Sequence, residues 1–236
     1  MKKIISFCLY GSQSMYIYGA VKNAKIIRER LPDFTARFYY DNSVPLFIIQ
    51  TLLKAKAELV AVDWNVKNNH LMMSRFTACD DADVEYAFIR DADSRITERD
   101  ISTMYSFIEQ KYCYMQSIHD HPYHNLCLCG GLIAFRKGYD KYLGSTMTEI
   151  VKQHMFDYPN SKNSDQLLLK DFVYGKIRPI LFVQQDYEFF YHGLKSYPIS
   201  HKRQSYEFIG DVYNEIDEQL YNYQHSLKEY VEKLTK

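Results

Sequence analysis

The chain has 236 residues, and its 29 basic residues balance its 29 acidic residues, which argues against a broad nucleic-acid surface and favours a small-molecule partner. This length accommodates one large α/β domain with a sizeable core. Five cysteines without a CxxC pair indicate a reducing compartment rather than a disulfide framework, so we expect a cytoplasmic protein. No apolar run approaches the roughly 20 residues that cross a bilayer, and we expect no transmembrane segment.

The first half of the chain alternates predicted strands with predicted helices. Apolar runs predict strands at 4–9, 36–40, 58–62 and 84–89. Helical patterns lie between them, at 18–30, 45–56 and 71–80. This order predicts an α/β fold in which a mostly parallel sheet is covered by helices on both faces.

The second half is less regular. Helices are predicted at 97–110, 142–155 and 164–173, and strands at 112–117, 131–136 and 180–183. Thr97 and Asp100 form a weak capping box. No linker or repeat interrupts the chain, so we expect a single domain over 1–236.

An amphipathic helix is predicted for the end of the chain, from Asp211 to about residue 235. Its apolar face would consist of Val212, Ile216, Leu220, Leu227, Val231 and Leu234. We expect this helix to pack against the domain, with a homodimer contact or a membrane surface as the alternatives.

Two acids separated by one residue, Asp91 and Asp93, stand just after the predicted strand 84–89. Open α/β sheets bind ligands at the carboxyl ends of their strands, and two carboxylates there can hold a divalent cation beside a diphosphate. The stretch therefore predicts a nucleotide-sugar site. The alternative is an acidic turn that caps the helix predicted from Thr97, because Asp is favoured in turns irrespective of function.

Other nucleotide-binding and hydrolase motifs are absent from the sequence. Gly11 stands without a GxGxxG pattern, and the chain has no P-loop, GxSxG or HExxH motif. Three histidines and an aspartate at 119–124 are zinc-ligand types, but Pro122 lies among them and no second ligand cluster has helical spacing. We therefore predict that zinc does not bind there, and the alternatives are a loop that binds sugar hydroxyls or a structural loop. The neighbouring Gly130 and Gly131 would allow close backbone approach to a ligand.

Two further positions can contribute to such a site. Asn163 or Ser164 can cap a helix whose first turn contains Asp165, where the helix dipole by itself favours an acid. Arg75 lies on the helix predicted before strand 84–89, from where it could reach a diphosphate. The alternative for Arg75 is an ordinary surface position.

Several segments of the chain recur together in a known family. They are 5–11 (ISFCLYG), 38–41 (FYYD) with 44–45 (VP), 74–76 (SRF), 88–95 (FIRDADSR), 120–122 (DHP) with His124, 130–131 (GG) and 207–210 (EFIG). In this order they resemble small GT-A glycosyltransferases found in large DNA viruses, such as the chlorella virus glycosyltransferase domain, and in bacterial polysaccharide loci. The resemblance spans nearly the whole chain, and RDADSR is its most specific element.

The resemblance implies a GT-A (Rossmann-like) fold and transfer of a hexose or deoxyhexose from a nucleoside diphosphate sugar, with a UDP-sugar favoured, to a glycan or other hydroxyl acceptor. It implies that Mn²⁺ or Mg²⁺ is held by Asp91 and Asp93 beside the diphosphate. Asp120 and His121 would lie near the donor sugar. The residues that it implies for the nucleotide-sugar site are Leu9, Tyr10, Gly11, Tyr40, Asp41, Arg75, Asp91, Ala92, Asp93, His121, Gly130 and Gly131.

Two departures from the family pattern concern the sugar and the acceptor. His119 stands where the family favours Arg before Asp-His-Pro, and Leu132-Ile133 follow the paired glycines where it favours Trp. His192 and His201 are the candidates for a histidine metal ligand late in the chain.

The chemistry of transfer requires further groups. An inverting enzyme needs a carboxylate that deprotonates the acceptor hydroxyl, and for this base we predict Asp165 first and Asp120 second. A retaining enzyme needs no such base. Two other classes of function stay open: a metal-dependent hydrolase or nucleotidyltransferase that uses Asp91 and Asp93, and a carbohydrate-binding module whose 22 tyrosines supply stacking surfaces.

Overall fold

The computed structural model describes residues 1–62, 71–158, 164–203, 205–220 and 222–234. The strands within these ranges are β1 Lys2–Leu9, β2 Phe34–Tyr40, β3 Glu58–Ala61, β4 Val84–Ile89, β5 Met115–Ile118, β6 Ile133–Arg136, β7 Leu181–Gln184 and β8 Ser196–Tyr197. They form one sheet in the order β3-β2-β1-β4-β6-β5-β7-β8. The sheet is parallel except at β6, which runs antiparallel to β4 and β5. The predicted mostly parallel α/β fold is therefore confirmed.

The central strands carry buried apolar residues on both of their faces because both faces of the sheet are covered. In β1, Ile5 and Phe7 belong to one hydrophobic cluster and Ile4 belongs to the other. β1 pairs in parallel with β2 and with β4, where Ser6 lies opposite Ile89. The carboxyl ends of these three strands therefore meet at one edge of the sheet.

Helices cover both faces. The α-helices of the described residues are α1 Ser14–Arg30, α2 Leu46–Lys54, α3 Glu98–Ile108, α4 Asp140–Leu143, α5 Met147–Asp157, α6 Ser164–Leu168, α7 Gly175–Ile177 and α8 Tyr223–Leu234. The helix α1 packs on one face, and a 3₁₀ helix, Met72–Asp80, packs on the other. No helix in the described ranges is both long enough and apolar enough to span a membrane.

Three predicted helices differ in detail from the structure. The segment predicted at 71–80 is 3₁₀ rather than α-helical. The helix predicted at 142–155 is two helices, because Gly144 takes a left-handed conformation with φ of 73° and ends α4. The helix predicted at 164–173 changes to a π-helix over Leu169–Tyr174. The short strand β8 has no counterpart in the prediction.

The prediction of a continuous helix from Asp211 is wrong for its first half. The helix begins at Tyr223, and within 211–220 the chain turns at 215–217 between Tyr213 and Gln219, which form an antiparallel β-bridge. The Asn214 side chain accepts hydrogen bonds from the backbone N–H groups of Ile216 and Glu218, and these local bonds compete with helix formation. In α8, Leu227 is fully buried and packs with Phe189 and Phe208, so this helix contacts the body of the protein.

Candidate active site

A cavity of about 490 Å³ opens where the carboxyl ends of β1 and β4 meet. It brings together the loop after β1, the acidic pair after β4, Arg75 and Asp165, all of which the sequence analysis singled out. The residues that line it are Cys8, Leu9, Tyr10, Gly11, Gln13, Tyr16, Met72, Arg75, Asp91, Ala92, Asp93, Asp165, Gly210 and Val212.

A buried arginine fixes the backbone from which the acidic pair projects. The Arg90 N–H donates to the Ser6 carbonyl at 3.0 Å, which extends the β1–β4 pairing by one residue. The Arg90 guanidinium forms an ion pair with Asp100 at 2.7 Å, and both side chains are 1% exposed. Asp100 lies in the first turn of α3, whose Thr97 cap accepts a hydrogen bond from the Asp100 N–H. The turn at 91–94 is therefore attached both to the sheet and to α3.

Helix α1 supports the same turn from the other side. The buried Asn23 side chain donates to the Ser94 carbonyl at 2.9 Å and accepts from the Ile96 N–H at 3.1 Å. A Cβ added at Gly19 would lie 2.1 Å from the Ala92 carbonyl oxygen, so only glycine permits this approach. Neither Gly19 nor Asn23 is predicted from the sequence, where their only signal is a glycine and a polar residue inside a helix.

Arg75 connects two carboxylates that are distant in sequence. It is only 5% exposed and forms ion pairs with Asp91 and, at 3.2 Å, with Asp165. The interpretation of Arg75 as a surface arginine is therefore wrong. Its buried Nε atom has no hydrogen-bond partner among the described residues. Arg75 holds Asp91 and Asp165 on one side of the cavity.

Asp93 and Asp165, which both line the cavity, differ in how their charge is compensated. Burial and the neighbouring Asp91 raise the pKa of Asp93 to about 6. Burial also raises the pKa of Asp165, although the nearby Arg75 guanidinium opposes this increase. Asp93 forms no ion pair with any residue in the described ranges, and the positive charges of Arg75 and Arg95 only partly oppose the rise in its pKa.

Gly130 and Gly131 provide space for the carboxylates of the site. A Cβ added at Gly130 would lie 2.4 Å from Asp165 Oδ2, and one added at Gly131 would lie 1.8 Å from Asp91 Oδ2. Neither glycine lines the cavity. The close neighbours of these glycines in the structure are the side chains of Asp165 and Asp91, and the approach of a ligand to them stays a prediction.

We expect Gly131→Ala to destabilise the protein by about 1 to 3 kcal/mol, the usual cost of overpacking, because the new methyl group must displace the Asp91 carboxylate from Arg75. Denaturant unfolding measures the change. Gly175→Ala is the matched control, since a Cβ added there would meet no neighbouring group within 4 Å, and it should be neutral or slightly stabilising. Equal stability of the two variants would contradict the contact.

Only some of the residues predicted to bind the nucleotide line the cavity. Leu9, Tyr10 and Gly11 line the cavity, whereas Tyr40 and Asp41 do not. The Gly11 N–H donates to the Ser43 hydroxyl oxygen at 2.6 Å, and Asp41 accepts a hydrogen bond from the Ser43 N–H at 3.0 Å. Asp41 therefore positions the rim of the cavity through Ser43.

Asp120 is fully buried in an ionic cluster and does not line the cavity. Its two oxygens accept hydrogen bonds from Arg99 at 2.8 and 2.7 Å, and Arg203 and the Ile209 N–H also donate to them. An acceptor hydroxyl has no access to this carboxylate. The expectation that Asp120 acts as the base therefore conflicts with its environment.

The histidines of the predicted loop also lie outside the cavity. His121 is 1% exposed, and its ring contacts the Tyr223 carbonyl and the Tyr123 N–H. His192 is buried, and neither His192 nor His201 lines the cavity, which does not support either as a late metal ligand. Within the described ranges, no group of three or more His, Cys, Asp or Glu side chains is arranged to hold a metal ion.

His119 and His192 form a buried hydrogen-bonded chain. His119 Nδ1 must donate to the His124 carbonyl at 2.6 Å, so His119 Nε2 is the acceptor for Ser117 and for His192 Nε2–H at 2.8 Å. Burial lowers the pKa of His119 to about 4 and the pKa of His192 to about 3. Both rings are therefore neutral in the folded protein near pH 7.

We expect this pair to make the protein acid-sensitive. The folded pKa values lie below the unfolded value of about 6.5, so stability is complete above pH 6.5 and decreases as the pH falls toward 4, by about 1.4 kcal/mol per pH unit for each histidine. Thermal unfolding between pH 7 and pH 4 measures this decrease. His192→Gln should reduce its slope, and an unchanged slope would show that other groups are responsible.

The segment after Phe208 forms one wall of the cavity and was not predicted to do so. Gly210 and Val212 line the cavity, and the Tyr213 N–H donates to the Asp93 carbonyl at 2.9 Å. Arg95 connects the same two loops, because its guanidinium contacts Asp217 at 2.8 Å. Tyr16 is a further cavity residue that the sequence analysis missed.

Comparisons with known proteins show the fold. No family model matches the chain, and no curated protein matches it. Among solved structures, TarS 1-349 from S. aureus is similar with a TM-score of 0.50 and 14% identity, over 79% of this chain and 59% of TarS. The predicted GT-A nucleotide-diphospho-sugar transferase fold is confirmed.

Two further similarities are weaker. The mannosyltransferase PcManGT from Pyrobaculum calidifontis, solved with GDP-Man and Mn²⁺, has a TM-score of 0.46 and 15% identity over 68% of this chain. The chain spans 54% of the length of that enzyme. The 4-diphosphocytidyl-2C-methyl-D-erythritol synthase from Anaerococcus prevotii has a TM-score of 0.49 and 10% identity, over 82% of this chain and 92% of that one.

Proposed function

We propose that the protein is a metal-dependent glycosyltransferase that moves a hexose or deoxyhexose from a nucleoside diphosphate sugar, with a UDP-sugar favoured, to a glycan or other hydroxyl acceptor. The observation that carries this proposal is the environment of Asp93. Its carboxylate lines a cavity at the carboxyl edge of a parallel sheet, beside Asp91, and its charge is not neutralised by an ion pair with any residue of the described ranges.

The residues present fit a divalent cation. Asp91 and Asp93 offer hard oxygen ligands, and a Mg²⁺ or Mn²⁺ ion in such a site completes its coordination with phosphate oxygens and water. A cation held there supplies the positive charge that a leaving diphosphate requires. Asp93 is the principal ligand in this proposal, because Asp91 already forms an ion pair with Arg75.

We assign the other cavity residues either to the nucleotide-sugar donor or to the acceptor. Leu9, Tyr10 and Gly11 hold the nucleotide, and Arg75 places a positive charge beside the acidic pair. Asp165 is the base that takes the proton of the acceptor hydroxyl if the reaction is inverting. Its raised pKa makes it a stronger base than an exposed aspartate, and it lines the cavity.

A binding experiment tests the proposal. We expect UDP, or GDP, CMP or dTDP if another nucleotide is used, to raise the melting temperature only when Mn²⁺ or Mg²⁺ is present. At a ligand concentration a hundredfold above Kd the stabilisation should be about 2.7 kcal/mol. Absence of binding by every nucleotide with either metal would contradict the proposal. Product analysis with the intact sugar nucleotide then separates sugar transfer from hydrolysis or nucleotide transfer.

A further inference from the structure

Helix α2 presents large apolar side chains to solvent. Leu46, Phe47 and Leu53 are 70%, 52% and 56% exposed, although Ile48 and Leu52 on the opposite side are buried in the core. At 3.6 residues per turn, Leu46 and Leu53 lie two turns apart on the same side of the helix, and Phe47 is next to Leu46. We call these three residues the apolar face of α2. Adjacent exposed apolar residues of this size indicate an interaction surface.

A cluster of cations adjoins this face. The groove between α1 and α2 is lined by Lys25, Arg28, Glu29, Thr51, Lys54 and Ala55. Its three cations and one acid give a local charge of +2 in a chain whose net charge is zero. Lys25, Arg28 and Lys54 are exposed and form no ion pair with a residue of the described ranges.

Other cations on α1 are neutralised by ion pairs, unlike the groove cations. Lys22 on α1 forms an ion pair with Asp217 at 2.5 Å, and Arg30 pairs with Glu98. The Arg28 guanidinium instead donates to the Lys54 carbonyl at 3.0 Å, which holds it at the carboxyl end of α2. Arg28 is thus positioned by the fold, and none of the three groove cations is neutralised by an ion pair within the described ranges, so they favour an anionic partner.

A partner of this surface must fit both the cations and the exposed apolar side chains, which allows three kinds of partner to be compared. A nucleic acid would neutralise the cations and could stack a base on Phe47, but it would gain little from the two exposed leucines. A dimer through three apolar side chains would be far smaller than a stable interface, and it would bring two positive grooves together. A bilayer offers acyl chains for the apolar face and anionic headgroups for the cations at the same time.

We propose that the α2 surface, formed by the apolar face and the groove cations Lys25, Arg28 and Lys54, docks the protein on an anionic lipid bilayer. The docked protein holds its cavity near the lipid. Ser43 lies just before α2, and its hydroxyl accepts the hydrogen bond from Gly11, which lines the cavity. This proposal does not rest on the glycosyltransferase function, since docking requires no donor.

Vesicle sedimentation without nucleotide or metal tests the proposal. We expect the protein to bind vesicles of an equal molar mixture of phosphatidylcholine and phosphatidylserine, and to bind phosphatidylcholine vesicles much more weakly. Lys54→Gln should lower the partition coefficient about fivefold. Phe47→Gln should lower it about tenfold, because the ring no longer enters the headgroup region. Increasing salt should weaken binding of the unaltered protein.

Matched controls come from the other side of the sheet. Phe156 and Lys152 lie on α5, exposed to solvent, and Phe156→Gln and Lys152→Gln should leave vesicle binding unchanged. Equal loss in both sets of variants, or no binding to the anionic vesicles, would overturn the proposal. Binding that Lys54→Gln weakens but Phe47→Gln does not would identify a polyanion surface, and a dimer that dissociates in Phe47→Gln would identify a second copy as the partner. Either outcome also overturns it.

Discussion

Asp93→Ala should abolish the rise in melting temperature that a nucleoside diphosphate and Mn²⁺ cause together in the unaltered protein. A diphosphate beside Asp91 and Asp93 is repelled until a cation lies between them. The lost effect is the whole ligand stabilisation, about 2.7 kcal/mol at a hundredfold excess over Kd. Thermal unfolding with ligand and metal, separately and together, measures it.

The unliganded Asp93→Ala protein should remain folded, which makes this result interpretable. Asp93 forms no ion pair in the described ranges, and burial raises its pKa to about 6, so the folded state gains nothing from the ionised carboxylate. Asp33→Ala is the matched control, because the Asp33 side chain is 70% exposed and distant in sequence from the acidic pair. If Asp93→Ala binds nucleotide and metal as well as the unaltered protein does, the proposed metal site is wrong.

Asp165→Asn should lower turnover by about 10² to 10⁴-fold if the enzyme is inverting, while nucleotide-sugar binding stays near normal. The amide keeps the size of the carboxylate and can still accept a hydrogen bond from Arg75, which lies 3.2 Å away. It cannot accept the proton of the acceptor hydroxyl. The loss should therefore appear in kcat, and binding of the donor by thermal shift should be preserved.

Asp171→Asn provides the matched control for this variant. Asp171 follows on the π-helical segment after α6 but is exposed to solvent, so its substitution should leave kcat unchanged. Full turnover by Asp165→Asn would remove Asp165 from the mechanism. Equal losses in kcat and in donor binding would instead indicate that Asp165 serves mainly to position Arg75.

Local sequence patterns were enough to predict the alternating strands and helices of the first half of the chain and the location of the acidic pair. The strand predicted at 84–89 coincides with β4, and Asp91 and Asp93 follow its carboxyl end. Hydrophobic periodicity and turn chemistry are local properties, and a parallel sheet aligns the carboxyl ends of its strands at one edge. The sequence could therefore predict where a ligand site would lie.

Long-range packing, by contrast, sets which partners these residues have. Arg75 contacts Asp165, 90 residues further along the chain, whereas Asp120 pairs with Arg99 and Arg203 in a buried cluster. The sequence presents both aspartates as candidates for the base, Asp165 first and Asp120 second, and it cannot show which of them is enclosed, because an isolated acid has no local signature of its environment. Burial and the position of the nearest cation depend on how strands and loops distant in sequence pack together. Those contacts leave Asp165 facing the cavity and enclose Asp120.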